Sequence, residues 1–69
     1  MTYHYNGYSA IITPVRDPES HKALYWKYRI YDEGNLLLDG HDVDSRAARI
    51  TVEAQIDWLI ADNRRRVAA

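Results

Sequence analysis

Apolar and polar side chains alternate most regularly over residues 24–31, which predicts a β-strand with one face against a core. The inward-facing set is Leu24, Trp26, Tyr28 and Ile30, and the outward-facing set is Tyr25, Lys27, Arg29 and Tyr31. An earlier strand is predicted over 8–15, where β-forming residues are frequent and Pro14 suits a strand end or a sheet edge. The polar segment 16–22 has the composition of an exposed loop between the two strands.

The segment after the alternating strand predicts a β-hairpin. Residues 32–34 suit a three-residue loop with the glycine in the left-handed conformation, after which the chain returns as a third strand. This loop places Tyr28 opposite Leu38 and Lys27 opposite Asp39, so apolar and charged pairs both match. A two-residue loop would shift the register by one and place Tyr28 against Asp39, and we therefore expect the longer loop.

Beyond these strands, the apolar spacing changes to three and four residues, which predicts an α-helix from about Ser45 or Arg46 to Arg64. Asp44 or Ser45 can cap its first turn, and no Gly or Pro follows to interrupt it. The face predicted to pack on the sheet consists of Ala48, Val52, Ile56, Leu59 and Ile60. The expected fold is one α+β domain over 1–69, with a three-stranded antiparallel sheet in β-β-β-α order packed on one C-terminal amphipathic helix.

A second apolar row follows the same helix on the opposite side, at about 100° per residue. It consists of Ala47, Ile50, Ala54, Trp58 and Ala61. One sheet cannot cover both faces, so either another chain covers this row or the N-terminal Tyr3, Tyr5 and Tyr8 fold over it. We favour a protein partner or a second copy in a homodimer, because alanines let another backbone approach while Trp58 provides a large anchor.

Composition narrows the possible functions. The chain has 69 residues, no Cys and a net charge of −1. Without Cys it has no disulfide framework and suits a reducing cytoplasm. The near-neutral charge argues against the strong basic field of non-specific nucleic-acid binders. No signal peptide and no bilayer-length apolar run is present, so we expect a cytoplasmic protein without membrane association.

The outward face of the central strand supports an alternative function. Its aromatic rings alternate with cations, a pattern on which bases stack and phosphates are neutralised. The candidate nucleic-acid-binding residues are Tyr25, Lys27, Arg29 and Tyr31, extended by Arg64, Arg65 and Arg66 if these lie on the same side. The C-terminal arginines also suit the negative end of the helix macrodipole. A small nucleic-acid-binding protein is therefore the alternative to a protein-binding module.

Residues with catalytic or metal-binding chemistry are few. The segment 39–44 holds one His and three Asp, but its spacing matches neither a calcium loop nor a zinc site, and a strand end followed by helix-capping acids explains it. No Ser has a persuasive His and Asp constellation, so we expect no enzyme activity, metal or cofactor. In size and predicted shape alone, the chain resembles small phage-encoded inhibitors, anti-CRISPR proteins among them. This resemblance implies a regulator or inhibitor that occupies a surface of a larger assembly.

Overall fold

The chain folds as a four-stranded antiparallel sheet followed by one long helix. The structure, a computed structural model, describes the backbone of residues 1–68 and the side chains of residues 1–64. Its elements are β1 (Thr2–Tyr5), β2 (Tyr8–Arg16), β3 (Ala23–Asp32), β4 (Asn35–Asp42) and α1 (Ser45–Ala68). The strands lie side by side in chain order. The predicted α+β class is confirmed, whereas the predicted number of strands was one too few.

The strand missing from the prediction is β1. Asn6 and Gly7 join it to β2 in a two-residue turn with positive φ angles of 49° and 87°, and Asn-Gly is the strongest short-range signal for such a hairpin. The amino group of Met1 donates to the Ile12 carbonyl at 2.8 Å, which is the last contact along this edge. Pro14 lies beyond it and pairs only with β3, and its nitrogen, like that of Ile12, is on the side away from β3, so its missing N–H costs no ladder bond.

The hairpin between β3 and β4 has a two-residue loop, so the predicted three-residue loop was wrong. Glu33 and Gly34 take φ angles of 49° and 82°, and two positive φ angles are what a type I′ turn requires. A bulge follows, because Ile30 pairs with Leu38 while its neighbour Tyr31 has already skipped one residue of β4.

The bulge also changes the predicted cross-strand pairs. Tyr28 lies opposite Gly40 rather than Leu38, and Lys27 lies opposite His41 rather than Asp39. Asp39 instead faces Arg29 on the outer side of the sheet. The two-residue loop was rejected because it would place Asp39 opposite Tyr28 in a regular ladder. The bulge adds one residue to β4, so that Gly40 rather than Asp39 lies opposite Tyr28.

The hydrophobic core lies between one face of the sheet and one face of α1. Its fully buried members are Ala10, Ile12 and Ile30 from the sheet and Ala48, Val52 and Ile56 from the helix. The predicted core face of the helix is thus confirmed at its centre, and Leu59 and Ile60 are partly buried. Leu24 was predicted to face inward but is 59% exposed, because a register shift next to it interrupts the pairing of β2 with β3.

Asp44 caps the helix. Its Oδ1 atom accepts a hydrogen bond from the Ala47 amide at 2.7 Å, which decides between Asp44 and Ser45 as the capping residue. The helix continues to Ala68, past the predicted end at Arg64, since the sequence contains no residue that would stop it. Within the part of the chain that the structure describes, no helix combines the length and apolarity needed to cross a bilayer.

Candidate functional site

Two surfaces of the described residues carry the predicted binding residues and remain uncovered after the sheet and the helix have packed together. The first, the helix stripe, consists of Ala47, Ile50, Ala54, Trp58 and Ala61. The second, the open sheet face, is the side of the sheet away from the helix; its residues on β2, β3 and β4 include Ile11, Thr13, Val15, Tyr25, Lys27, Arg29, Tyr31, Asp39 and His41.

The helix stripe forms one apolar row on the side of α1 that faces away from the sheet. Ile50 and Trp58 are each 60% exposed, more than any other large apolar side chain that the structure describes in the helix. Ala54 and Ala61 are exposed and Ala47 is half-buried. The Trp58 side chain borders a shallow depression beside Ala54. The predicted second apolar face therefore exists as a continuous surface of the folded chain.

The N-terminal tyrosines contact the helix without covering this stripe. The Arg49 guanidinium lies 5.0 Å from the centroid of the Tyr3 ring. The Tyr5 hydroxyl donates to the Asp57 carboxylate, with its oxygens at 3.0 and 3.2 Å. Tyr8 packs against the core. Ile50 and Trp58 stay exposed beside these contacts, so the less favoured alternative, in which the three tyrosines cover the stripe, is not what the structure has.

Both β1 tyrosines have a pKa above the ordinary value of 10.0. The pKa of Tyr5 is raised first by its hydrogen bond to Asp57, then by partial burial and by the nearby acidic charges. The pKa of Tyr3 is raised first by burial and then by the charge of Glu53. Among the described residues, the Tyr3 hydroxyl is buried without a hydrogen-bond partner. Tyr5 thus ties β1 to the helix through the neutral form of its phenol, whereas Tyr3 contacts the helix through its ring.

We expect Asp57→Asn to lower the pKa of Tyr5 toward 10.0, because the substitution removes the carboxylate charge that favours the neutral phenol. Because the pKa of Tyr5 is higher in the folded chain than in the unfolded chain, the contact makes its full contribution to stability below about pH 10. That contribution is lost as the pH rises through the pKa that Tyr5 has in the folded chain. The absorbance of phenolate during an alkaline titration measures the shift, and Tyr5→Phe identifies the titrating group. Glu19→Gln, an acid lost from the distant loop, should leave the curve unchanged. Identical curves for the wild type and Asp57→Asn would contradict the assignment.

The open sheet face brings most of the predicted nucleic-acid-binding residues together. Tyr25, Lys27 and Arg29 line a groove with residues of β4. The rings of Tyr25 and His41 meet edge to face, with centroids 5.4 Å apart and planes at 62°. His41 was not among the predicted site residues. The predicted pairing of the third strand with β3 could have identified it, because this pairing places His41 beside the outward residues of β3. Tyr31 lies on the same face, nearer the hairpin.

Arg64 does not extend this surface. It is exposed on α1, where it borders a groove with Asn6 and Ala61, on the helix side of the sheet. The condition that the arginines and the outward strand residues share one side is therefore not met for Arg64. The side chains of Arg65 and Arg66 lie outside the described residues. Of the predicted cationic residues whose side chains the structure describes, only Lys27 and Arg29 lie on the open sheet face.

The acids of segment 39–44 are divided between different roles. Asp39 lies on the open sheet face, whereas Asp42 accepts a hydrogen bond from the Thr51 hydroxyl at 2.6 Å and Asp44 caps the helix. The segment is thus a strand end, as predicted, but it is followed by one capping acid, Asp44, rather than by several. Within the described residues, no group of three or more His, Asp or Glu side chains is placed to hold a metal ion.

Comparison of the chain with protein-family models, curated proteins and solved structures found no match. The helix stripe and the open sheet face are therefore the features of this chain from which a function can be inferred.

Proposed function

We propose that this chain is a non-enzymatic protein-binding module, a small regulator or inhibitor that binds its partner through the helix stripe. The observation that carries the proposal is the 60% exposure of both Ile50 and Trp58 on the helix face opposite the core. The N-terminal segment, which was the alternative cover for them, contacts the side of the helix instead. Contiguous apolar surface of this kind typically marks an interaction site.

The chemistry of the stripe suits a second helix as the contacting element. Trp58 provides a large apolar body with an N–H donor, the type of residue that dominates binding energy at interfaces. The alanines on either side leave room for another backbone at the short end of the usual helix separation, about 8 Å. From Ala47 to Ala61 the stripe is about 21 Å long. It therefore matches an apolar helix face of about four turns.

A second copy of this chain is one partner that meets these requirements. The stripe is symmetric in spacing about Ala54, so that in an antiparallel pair Ile50 of each copy lies opposite Trp58 of the other. An isologous interface needs this self-complementarity. The same arrangement places the flank with Arg46, Glu53 and Asp57 beside the same flank of the other copy, so charges of both signs meet at the edge of the interface. We therefore expect a weak homodimer that the apolar stripe, rather than these charges, holds together.

Trp58→Ala should weaken association by roughly thirtyfold, corresponding to about 2 kcal/mol for a central interface residue. Ala54→Glu should abolish it, because a buried unpaired charge would lie at the point of closest approach. Light scattering over a concentration series measures self-association, and affinity capture with the same variants measures binding to another protein. Leu24→Ala is the matched control, since Leu24 is 59% exposed but lies on the sheet.

Two results would count against this proposal. If Trp58→Ala unfolds the domain, as followed by far-UV circular dichroism, the stripe is part of the core rather than a binding surface. If both stripe variants associate as strongly as the wild type and Leu24→Ala, binding takes place elsewhere.

A further inference from the structure

The open sheet face has a local excess of positive charge in a chain whose net charge is −1. Lys27 and Arg29 are both exposed there, and Asp39 is the one carboxylate among the described residues of this face. The other acids lie in the loop and turns, at the start of the helix, or on the helix side of the sheet: Asp17, Glu19, Asp32, Glu33, Asp42, Asp44, Glu53, Asp57 and Asp62. The fold thus separates all the acids except Asp39 from a small cationic surface.

Aromatic rings lie on the same face as these cations. Along β3 the order is Tyr25, Lys27, Arg29 and Tyr31, with both tyrosines half-buried, and the His41 ring meets Tyr25 from the neighbouring strand. The two cations are about 7 Å apart along the strand, similar to the separation of neighbouring phosphates in an extended single strand. The two tyrosines are about 20 Å apart, which leaves room for several nucleotides between them.

We propose that the open sheet face binds single-stranded nucleic acid, with bases against Tyr25 and Tyr31 and phosphates at Lys27 and Arg29. Flat sheets with aromatic residues and cations on central strands bind unpaired bases in this way. A duplex would offer this face its phosphates but not its stacked bases, and an acidic peptide would leave the aromatic rings without stacking partners. This function does not depend on the helix stripe, because α1 packs on the other face of the sheet.

Titration of short fluorescein-labelled single-stranded DNA and RNA, followed by anisotropy at several salt concentrations, tests the proposal. With two phosphate contacts, the slope of log K against log salt should be about −1.4. The double variant Lys27→Gln/Arg29→Gln should lose this binding. Arg46→Gln/Arg64→Gln should retain it, since that variant removes the same charge from exposed positions on the helix. Tyr25→Ala should bind at least about fivefold more weakly through lost stacking, and Asp39→Asn should bind more tightly.

Several outcomes would overturn the proposal. One is the absence of salt-dependent binding even at low salt. Another is an equal loss in the two double variants, which would show an effect of overall charge rather than of this face. Equal affinity for a polyglutamate peptide or for duplex DNA would show a surface that binds any anion.

Trp58→Ala should retain the binding of single-stranded nucleic acid, and this result would separate the function of the open sheet face from that of the helix stripe.

Discussion

Ile56→Ala should destabilise the fold by about 2–5 kcal/mol, whereas Ile50→Ala should change the free energy of unfolding by less than about 0.5 kcal/mol. The two substitutions are chemically identical and lie on the same helix. Ile56 is fully buried in the cluster with Val52 and Ile12, so that its truncation loses apolar burial and leaves a cavity. Ile50 is 60% exposed on the helix stripe and leaves no cavity.

Urea unfolding followed by far-UV circular dichroism measures this difference, at a protein concentration low enough to exclude self-association. A domain of this size buries little surface and has a small margin of stability, so the Ile56→Ala variant should be partly unfolded without denaturant. A stabilising osmolyte extends the measurable range. Equal destabilisation by the two variants would contradict the assignment of one face to the core and the other to a binding surface.

Gly40→Ala should destabilise the fold by about 1–3 kcal/mol, the usual cost of adding a group where no space exists. Gly40 lies opposite Tyr28 on β4, and a β-carbon at this position would overlap the Tyr28 phenol. Tyr28 is partly buried against the core, so its ring cannot move aside without losing contacts there. Both residues also border the groove of the open sheet face.

A double-mutant cycle isolates this contact. In a Tyr28→Ala background, Gly40→Ala should cost little or become mildly stabilising, because the obstructing ring is gone and alanine restricts the unfolded chain more than glycine does. Gly34→Ala is the comparison for a different mechanism. Nothing lies near its β-carbon, but its φ of 82° disfavours any side chain. A cost for Gly40→Ala that persists without Tyr28 would show that the backbone, not the ring, requires glycine.

Local patterns carried most of the correct predictions. The alternation in β3, the helical spacing after Asp44 and the presence of two apolar helix faces all depend on neighbouring residues, whose geometry follows from the period of each element. The same reasoning identified Ala48, Val52 and Ile56 as core residues, and they are fully buried. These predictions are correct because the period of the apolar residues shows which side of a strand or helix can be buried away from water.

The errors arose where the geometry depended on a second strand. The Asn6-Gly7 turn signal was present, but the tyrosines before it were treated as a possible cover for the helix rather than as a strand. The loop of the second hairpin was assigned from side-chain pairing in a regular ladder. A bulge beside Ile30 satisfies the same side chains with a shorter loop, and its location depends on both strands.

The amino-acid sequence by itself determined the α+β class, the strand before the hairpin, the helix and its two apolar faces, because each is a pattern of adjacent residues. Only the tertiary structure decided which surfaces remain uncovered. It placed Tyr3 and Tyr5 along the side of the helix, so that Ile50 and Trp58 stay exposed. It also placed Arg64 and Lys27 on opposite sides of the sheet, because burial of one helix face determines which side of the sheet is left open.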